Sequence, residues 1–457
     1  MTRFLSIAAL TCFLAVDFTN TASAERPPNV VIIFLDDSGY SDFHPFGKPS
    51  YPTPHVEKLA KEGMMLTRFC VPQAICSASR AALLSGCFPE RTRVFGAHGP
   101  NGRGLDPKFM TMAEMLKTEG YSTAHFGKWH CGDQRETRPL ARGFDEHAGL
   151  MYSNDMWRFH PGNPKHWGKH PLQFWENGQV KIADVSKQDQ TQLTTWATEY
   201  SVSFIKRNKD KPFFLYLAHS MPHVPLFVSD KFKGKSGTGL YGDVIMEIDW
   251  SVGQVMKALK EADLTRDTLV LFSSDNGPWA TYGNHAGSTP FREAKATSFE
   301  GGVRSATVLH FPREIKPGGK MDRLIGSIDI LPTIAHLTKC DLPKNPIDGK
   351  NVWPLIIGKS GATNAHSYYP ITVGGQFQGV LSGDGRWKLH LPHGYRNVSE
   401  PGMDGMPGKD VKRKIELSLF DMKEDPRETT NVIDKHPKVA EQLQAIAKKH
   451  RAKFWPK

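Results

Sequence analysis

Three short apolar runs stand out along the chain. Residues Asn29–Leu35 (NVVIIFL), 212–218 (PFFLYLA) and 268–272 (TLVLF) are almost continuously apolar and rich in β-branched or aromatic side chains. Runs of this length without polar alternation are typical of strands buried on both faces, as in a parallel sheet covered by helices. Each run is followed closely by polar residues, so the pattern predicts buried strands that present polar side chains at their carboxyl ends.

Amphipathic stretches lie between these runs. Residues 53–63, 112–120 and 244–262 carry apolar positions at helical spacing. The first stretch starts with Thr in the capping position and Pro at the first helical position, and it ends at Gly. Alternating strand and helix signals predict an α/β sandwich, in which ligands bind beyond the carboxyl ends of the strands.

A change in pattern near residue 350 predicts two structural units. Residues 343–354 hold three prolines and are typical of a loop. Beyond them come two short strand-like runs and a closing helix, at residues 379–390, 417–421 and 437–453. We expect an α/β domain over residues 25–350 with a large central, mostly parallel or mixed sheet sandwiched by helices. Residues 351–457 are expected to form a smaller C-terminal α+β subdomain carrying a short antiparallel sheet.

The first residues have the pattern of a signal peptide. Arg3 precedes an apolar run over residues 4–16, and small residues follow at 22–24 (ASA). We therefore expect residues 1–24 to be removed and the protein to be exported, either periplasmic or secreted. The run is too short to span a bilayer, and no later stretch approaches ~18 unbroken apolar residues, so we expect no membrane span.

The chain is basic, with a formal net charge of +11. This charge favours polyanionic partners through long-range attraction, but a generically soluble basic surface explains it equally well. Nucleic acid is a poor candidate partner, because zinc-finger spacing, an RNA-binding sheet motif and dense Lys/Arg blocks are all missing from the sequence.

Six cysteines occur, and Cys12 lies in the predicted signal peptide. The other five are Cys70, Cys76, Cys87, Cys131 and Cys340. They show neither metal-type CxxC spacing nor the density of a disulfide scaffold. Their odd number leaves at least one cysteine unpaired within the mature chain, and Cys76 is our candidate.

Cys76 opens the pentapeptide CSASR, which is followed by AALLSG. The Ala/Leu run favours a helix that ends at Gly86. Cys76 would then lie at the helix N-terminus, where amide groups and the helix dipole favour negative charge, with Arg80 one turn further on. This arrangement suits attack on a tetrahedral anion. A structural Cys buried on a packed helix explains the pentapeptide alone equally well.

The pentapeptide and the AALLSG that follows resemble the maturation motif of type I sulfatases, a family of the alkaline phosphatase superfamily. The resemblance runs from PPNVVIIFLDD near the start of the mature chain to DPRETTNVID near its end. It implies that a formylglycine-generating maturation enzyme oxidises Cys76 to formylglycine (3-oxoalanine). It also implies that each chain binds one Ca²⁺.

Two polar pairs follow apolar runs and are candidate metal ligands. Asp36 and Asp37 follow the first run, and Asp275 and Asn276 come just after the last. Three carboxylates and an amide oxygen are hard ligands that suit Ca²⁺, although Mg²⁺ stays open. The resemblance implies that these four residues, together with modified Cys76, bind the metal. Either pair alone could equally serve a turn or a helix cap.

The GKWH motif contributes Lys128 and His130. If residues 122–130 are extended, both side chains point to the same face. The resemblance implies that Lys128 contacts sulfate and that His130 hydrogen-bonds the formylglycine. A surface lysine and a core histidine are the alternative for this motif taken alone.

Two further side chains complete the implied catalytic set. His223 lies between prolines in the segment PHVP, and the resemblance makes it the histidine on the leaving-group side, ahead of nearby His219. Lys295 precedes the segment EGGVR and corresponds to a second sulfate-binding lysine. A packed loop histidine and a solvated lysine are the alternatives.

Two further segments contain candidate substrate contacts. Residues 152–155 (YSND) look like a stretch in the arylsulfatase A and N-acetylgalactosamine-6-sulfatase group of that family, which implies that Ser153 reaches the sulfate region. Residues 387–390 (WKLH) resemble a late segment that returns to the cleft, so His390 is a second candidate. His393, Tyr395 and Arg396 could line the rim or belong to an ordinary surface.

The resemblance implies a sulfuric ester hydrolase acting on a sulfated carbohydrate or an aryl sulfate. The hydrated aldehyde would attack sulfur with help from Ca²⁺ and Asp275. Lys128 and Lys295 would offset the charge of the transferring group. His223 would protonate the departing alcohol, and His130 is a candidate base for the release of sulfate. A phosphonate or phosphate ester hydrolase of the same superfamily and a non-catalytic protein that binds sulfated glycans stay open as alternatives.

Overall fold

The central strand of the protein is Asn29–Leu35, as the apolar pattern predicts. A computed structural model describes residues 26–455, so the predicted signal peptide lies outside the described residues. All seven residues of this strand are buried. It pairs in parallel with Phe213–Ala218 on one side and with Thr268–Ser274 on the other. The three apolar runs are therefore neighbouring parallel strands, and their carboxyl ends meet at one edge of the sheet.

This sheet has eleven strands of mixed direction. The strands are β1 (Asn29–Leu35), β2 (Met64–Cys70), β3 (Ser122–Lys128), β4 (Glu146–Leu150), β5 (Phe174–Glu176), β6 (Gln179–Ile182), β7 (Phe213–Ala218), β8 (Thr268–Ser274), β9 (Arg304–His310), β10 (Gly319–Met321) and β11 (Ile325–Gly326). Their order is β10-β2-β9-β8-β1-β7-β3-β4-β5-β6, with β11 paired to β2. The centre from β8 to β4 is parallel, whereas β9, β5 and β6 add antiparallel pairs.

Helices cover the sheet in two layers. The helices are α1 (Pro54–Glu62), α2 (Cys76–Ser85), α3 (Pro89–Thr92), α4 (Met112–Lys117), α5 (Pro164–Trp167), α6 (Lys187–Gln190), α7 (Leu193–Arg207), α8 (Leu240–Glu261), α9 (Glu300–Val303), α10 (Ile330–Thr338), α11 (Trp353–Ile356) and α12 (Pro437–Phe454). Short 3₁₀ turns lie at Arg135–Thr137, Pro139–Arg142, Ala280–His285, Ser327–Asp329 and Ile433–Lys435. In one layer α8 contacts α1 and α7, and in the other layer α2, α4 and α10 contact one another.

The helix ends differ from the sequence pattern in detail. Thr53 precedes α1 but does not cap it, because its hydroxyl accepts a hydrogen bond from the His44 amide at 2.9 Å. Helix α4 ends at Lys117, short of the predicted residue 120, and it begins with a capping box between Thr111 and Glu114. Helix α8 begins at Leu240, before the predicted residue 244.

The C-terminal region carries its own antiparallel sheet, as predicted. Its strands are β12 (Tyr368–Val373), β13 (Gln376–Ser382), β14 (Trp387–His390) and β17 (Ser418–Asp421), in that order. The strands β15 (His393–Glu400) and β16 (Lys409–Ile415) form a separate hairpin. Helix α12 packs Ala440, Leu443 and Ala447 onto this sheet, which is the apolar stripe of an amphipathic helix. The α/β fold with a smaller antiparallel sheet is confirmed, and the boundary at residue 350 stays a prediction.

Two other sequence expectations concern this part of the chain. Within residues 26–455, no helix is both long and apolar enough to cross a membrane. The five cysteines there are all buried and free, so none of them forms a disulfide with another.

Candidate active site

The two polar pairs predicted as metal ligands meet where β1 and β8 end. The parallel register places Leu35 opposite Ser274, so Asp36 and Asp275 leave neighbouring strands at the same level. All four side chains of the two pairs are buried, and none is more than 3% exposed. The Asp37 amide donates to Asp275 Oδ1 at 3.2 Å, which ties the two strand ends together. The edge of the sheet therefore concentrates three carboxylates away from bulk water.

Helix α2 brings Cys76 to this edge as its first residue. The helix ends as predicted at Gly86, which has a left-handed φ of 66° and donates its amide to Ala82 O. Every residue of α2 is buried, and Cys76 is only 2% exposed. Burial raises the pKa of the unmodified Cys76 thiol to about 11, so the thiol is protonated at neutral pH.

Arg80 links α2 to three strand ends. Its Nε and Nη2 both lie 2.9 Å from Asp275 Oδ2, and its Nη1 donates to the Lys128 carbonyl at 3.0 Å. Nη2 also lies 3.8 Å from Asp36 Oδ1. A fully buried guanidinium with this many acceptors fixes the positions of the charged groups around it. Arg80 thus holds the start of α2 against the carboxylate cluster.

Lys128 stands at the end of β3 and is fully buried. Its ammonium forms an ion pair with Asp36 Oδ2 and donates to Ser153 Oγ at 3.2 Å. Burial alone would raise the pKa of Asp36, but the charge of Lys128, with further cations nearby, holds it well below its usual range. Asp36 is therefore ionised at neutral pH.

The extended conformation considered for residues 122–130 is not present at their carboxyl end. The strand stops at Lys128, and His130 has a left-handed φ of 58°. At Gly127 a Cβ atom would lie 1.9 Å from Ala218 O, so the backbone there passes too close to β7 for a side chain. The alternation argument for His130 therefore does not apply, because the chain turns before reaching it.

The His130 imidazole still lies beside the charged cluster. Its Nε2 donates to the His98 carbonyl at 2.8 Å, because a carbonyl oxygen can only accept. Burial, followed by the charge of Lys128, holds the pKa of His130 far below its usual value. The ring is therefore neutral, and its buried Nδ1 keeps a free lone pair, with no hydrogen-bond partner among residues 26–455. Such a nitrogen can accept a proton or a hydrogen bond.

His223 lies on the loop after β7 and faces the carboxylates. Its Nδ1 lies 2.5 Å from the Val224 carbonyl and is therefore the protonated nitrogen of the neutral ring. Its Nε2 lies 3.5 Å from Asp37 Oδ2 and 3.4 Å from Ser153 Oγ. Burial, followed by the charge of Lys295, lowers the pKa of His223. By contrast, His219 points away, with its Nε2 3.0 Å from Ser251 Oγ.

Lys295 brings a second buried ammonium to the carboxylates of Asp36 and Asp37. Its ammonium lies 2.7 Å from Asp37 and 4.3 Å from the ring centroid of Trp279. Burial alone would lower the pKa of Lys295, but the carboxylate of Asp37 raises it above its usual value. The Lys295 amide donates to Pro278 O, and the Ala296 amide donates to Ala74 O, just before α2. Lys295 is therefore charged and positioned next to Cys76.

The centre has the donor set of a cation site. Ligand-capable atoms of Asp36, Asp37 and His223 all lie within 4.8 Å of one another. Among the described residues, Asp36 Oδ1 and Asn276 Oδ1 are buried oxygens that accept no hydrogen bond, whereas Asn276 Nδ2 donates to Asp37 Oδ1 at 2.7 Å. Burial, followed by the charge of Asp36, raises the pKa of Asp275 to about 7. Orphaned hard oxygens among crowded carboxylates fit a divalent cation such as Ca²⁺.

Comparisons with known proteins agree with this geometry. The Sulfatase family model matches residues 28–340. Arylsulfatase A from Bos taurus is 36% identical over 454 residues, covering 93% of this chain and 87% of that protein. The chain belongs to the sulfatase family. It is therefore a sulfuric ester hydrolase.

Other sulfatases align over most of their length. N-acetylgalactosamine-6-sulfatase from Canis lupus familiaris is 32% identical over 414 residues, covering 85% of this chain and 77% of that protein. Among solved structures, the PsFucS1 sulfatase from Pseudoalteromonas sp. superposes with a TM-score of 0.83 at 24% identity, covering 94% of this chain and 91% of that one. The latter likeness shows a shared fold.

The two substrate candidates of this sulfatase occupy different places. Ser153 lies between Lys128 and His223 and belongs to the site. His390 lies in a second buried cluster, where its Nε2 is 2.7 Å from Glu428 Oε1 and its ring stacks on Phe299. No contact between His390 and the carboxylate centre occurs within residues 26–455, and its role in substrate binding stays a prediction.

That second cluster anchors the segment of the sulfatase that carries Lys295, residues 292–300. Glu428 Oε2 accepts from the Glu300 amide at 2.7 Å, and the Glu428 carbonyl accepts from Arg292 at 2.7 Å. Lys388 pairs with both Glu300 and Glu428 at 3.0 Å. Charges this deeply buried need partners, so both ends of the segment are tied to the C-terminal region.

Sequence reasoning missed several residues of the sulfatase site. Trp279 packs against Lys295 and against the His223 ring, 5.2 Å away between centroids. Tyr282 packs on Trp279 at 4.9 Å. Asp155 is buried, and although burial alone would raise its pKa, interaction with His223 and a hydrogen bond with His160 lower it to about 2. The aromatic residues follow the Asp275-Asn276 pair closely in sequence, which was the available signal.

Proposed function

We propose that this sulfatase cleaves sulfate monoesters of a sulfated carbohydrate or an aryl sulfate, using a formylglycine formed from Cys76 and one Ca²⁺. The observation that carries the proposal is the convergence of two buried lysines, His223 and Cys76 on the carboxylates of Asp36 and Asp37. This set combines anion binding, proton transfer and a helix N-terminus in one water-poor place.

The surroundings of Cys76 support a formylglycine there. When formed, a hydrated formylglycine would supply one hydroxyl as the nucleophile and a second hydroxyl, whose deprotonation would regenerate the aldehyde as the C–O bond to the sulfate breaks and sulfate leaves. The neutral His130 ring offers Nδ1 as a hydrogen-bond acceptor or base on this side. Arg80 and the start of α2 place positive charge nearby. Since Cys76 is buried in the folded chain, a formylglycine-generating enzyme would have to act before folding is complete.

Asp36, Asp37, Asp275 and Asn276 would hold the Ca²⁺, with the modified side chain at position 76 as a further ligand. The bound ion would polarise the sulfate and offset negative charge during transfer. The orphaned oxygens of Asp36 and Asn276 support this donor set. Lys128 forms an ion pair with Asp36, and Lys295 forms one with Asp37. Both ammonium groups would then bind the non-bridging oxygens of sulfate.

His223 is the side chain suited to the leaving group. Its Nδ1 is held by the Val224 carbonyl, so its Nε2 faces the site and can carry the proton given to the departing alcohol. Ser153 lies 3.4 Å from this nitrogen and orients it. His390, behind residues 292–300, is a weaker candidate for a substrate contact.

The substrate class rests on the relatives. Proteins named arylsulfatase A and N-acetylgalactosamine-6-sulfatase align with most of this chain. These names support an aryl sulfate or a sulfated carbohydrate as substrate. Export through the signal peptide predicted over residues 1–24 would bring the enzyme to polymeric substrates outside the cytosol.

The reaction class is tested by kcat/KM for 4-nitrophenyl sulfate against the matching phosphate and phenylphosphonate esters. The preparation would be loaded with Ca²⁺, and peptide mass would confirm the aldehyde at position 76. We expect a strong preference for sulfate and no turnover by the Cys76→Ala variant. A phosphate or phosphonate preference would instead support the rival hydrolase. Binding of sulfated glycans without turnover of any ester would support a non-catalytic protein.

The metal assignment has a readout that does not depend on activity. Calorimetric titration of chelator-treated protein with Ca²⁺ should show one site, and Tm should rise with Ca²⁺ concentration. The Asp36→Asn variant should lose both effects. A variant that binds Ca²⁺ as tightly as the parent protein would refute Asp36 as a ligand.

A further inference from the structure

The hairpin of β15 and β16 carries a cationic face beside the active site. In its register, Arg396 lies opposite Lys412, and Gly394 lies opposite Lys414. Directly opposed residues of an antiparallel pair share a face, and side chains two positions apart along a strand do so as well. Arg396, Lys412 and Lys414 therefore project from one side of the hairpin, where Gly394 leaves space beside Lys414.

The opposite face of the hairpin is occupied by packing. Tyr395 packs on Phe299 with 4.9 Å between ring centroids, and His393 Nε2 lies 3.2 Å from Ser298 Oγ. Asn397 donates to Glu293 at 3.1 Å. All three contacts are made to residues 292–300, the segment that carries Lys295. This fixes the hairpin against the active site and leaves the cationic face turned outward.

Two of the three cations have no partner in the protein. Arg396 pairs with Asp410 at 3.0 Å, and Thr281 donates to the same carboxylate at 2.9 Å. Lys412 and Lys414 are exposed, and neither forms a salt bridge or hydrogen bond with any residue in the range 26–455. Asp410 shares this face through its register with Val398, and Glu400 pairs with Lys409 at 2.9 Å. The face therefore carries an excess of positive charge.

The cationic face of the hairpin lies close to Lys295, the proposed sulfate-binding lysine. Thr281, which holds Asp410, is followed by Tyr282, whose ring packs on Trp279, and Trp279 packs on the Lys295 ammonium. Lys295 and Arg396 both act on the Tyr282 hydroxyl, although burial and Asp155 dominate and raise its pKa to about 12. Lys414 lies two strand positions, roughly 7 Å, beyond Lys412 on the same strand. This spacing is on the scale of neighbouring sugars in a glycan chain.

We propose that Arg396, Lys412 and Lys414 form a subsite for a second anionic group, sulfate or carboxylate, on the same glycan that carries the scissile sulfate. The proposal rests on the proposed function and narrows the substrate class to polyanionic sulfated glycans. Exposed cations next to a cleft attract anionic chains and raise their local concentration. Each exposed charge pair contributes little and is screened by salt, so the effect is moderate and depends on ionic strength.

The test compares two double variants that remove the same charge. Lys412→Gln/Lys414→Gln removes the proposed subsite, and Lys448→Gln/Lys449→Gln removes two exposed lysines from α12. Short dextran sulfate chains serve as inhibitor of 4-nitrophenyl sulfate hydrolysis, with inorganic sulfate as the single-anion comparison. We expect the first variant to raise Ki for dextran sulfate about fivefold to tenfold, with Ki for inorganic sulfate and kcat/KM for the aryl ester unchanged.

The expected difference should vanish at about 1 M NaCl, where the screening length falls to about 3 Å. An equal rise of Ki in the α12 control variant would show that net charge alone attracts the polymer, and that result would overturn the subsite. Calorimetric titration with dextran sulfate needs no turnover, so it tests the subsite even if the aryl ester is not cleaved. Undiminished affinity of the Lys412→Gln/Lys414→Gln variant in that titration would also overturn it.

Discussion

The two lysines of the active site reach the carboxylates by different routes. Lys128 ends a regular strand and is fully buried against Asp36. Lys295 lies on an irregular segment and is 8% exposed. Its ammonium contacts the Asp37 carboxylate and the Trp279 ring. The first route depends on the main sheet, whereas the second depends on contacts that the C-terminal region makes with residues 292–300. The site therefore has one half built into the core and one half held in place from outside it.

Removing Lys128 should have the largest effect. The Lys128→Ala variant should lose about 10²–10³-fold in kcat/KM for 4-nitrophenyl sulfate, because a buried cation facing the transferring group is lost. In chelator-treated protein it should also lose about 3–5 kcal/mol of unfolding free energy, because Asp36 stays buried without its partner. Steady-state kinetics and denaturant unfolding measure the two effects.

The matched variant is Lys295→Ala, for which we expect a similar loss of rate with a smaller loss of stability. A loss of stability equal to that of Lys128→Ala would contradict the distinction between the two halves of the site.

Removing His223 should have an effect that depends on the leaving group. The His223→Ala variant should lose about 10²-fold or more with an alkyl sulfate but less with 4-nitrophenyl sulfate, whose leaving group needs no proton. The proton donor is the protonated ring, and burial with the charge of Lys295 lowers its pKa. Parent activity on the alkyl ester should therefore fall as pH rises through a value below the usual histidine range. Equal losses on both esters would argue against the acid role.

Glu428 offers a way to loosen only the half of the site that contains Lys295. The Glu428→Gln variant should loosen the Glu300 end of residues 292–300, because the Arg292 contact uses the Glu428 carbonyl and is kept. This should misplace Lys295 and raise Ki for inorganic sulfate roughly tenfold to hundredfold. Glu90→Gln is a suitable control, because Glu90 is also buried in the protein but bonds to Thr372. The control should cost stability without changing sulfate affinity. An unchanged sulfate Ki in Glu428→Gln would refute the positioning role.

The smallest expected effect concerns Ser153. The Ser153→Ala variant removes the hydroxyl between Lys128 and His223, and a single hydrogen bond of about 1 kcal/mol corresponds to roughly a fivefold loss of kcat/KM. Ser251→Ala is the matched control, because its hydroxyl bonds His219 behind the site. If both variants lost rate equally, the effect would come from packing and not from the site.

The sequence predicted the core half of the site well for a physical reason. The apolar runs ending at Leu35 and Phe272 specify buried strands, and parallel strands bring the Asp and Asn pairs that follow to one edge. The extended conformation considered for residues 122–130 ends at Lys128, and His130 takes a left-handed φ of 58°, whereas Gly127 is required where the backbone passes close to β7. Local alternation cannot report such a contact between distant segments.

The position of the half of the site that contains Lys295 could not be predicted from local sequence patterns. The cluster of His390 and Glu428 joins residues far apart in sequence, and only the folded chain shows that it anchors the segment with Lys295. Trp279 and Tyr282 carry no periodic signal, because they lie in a loop and a 3₁₀ turn.

The most direct test of the account relates activity to the chemical state of residue 76. Preparations with graded formylglycine content, obtained by varying co-expression of the maturation enzyme, would be assayed with 4-nitrophenyl sulfate in Ca²⁺. The account predicts that kcat per mole of protein is proportional to the aldehyde fraction measured by peptide mass. It also predicts that kcat is zero when the aldehyde fraction is zero. Substantial turnover by protein that carries only unmodified Cys76 would contradict the account.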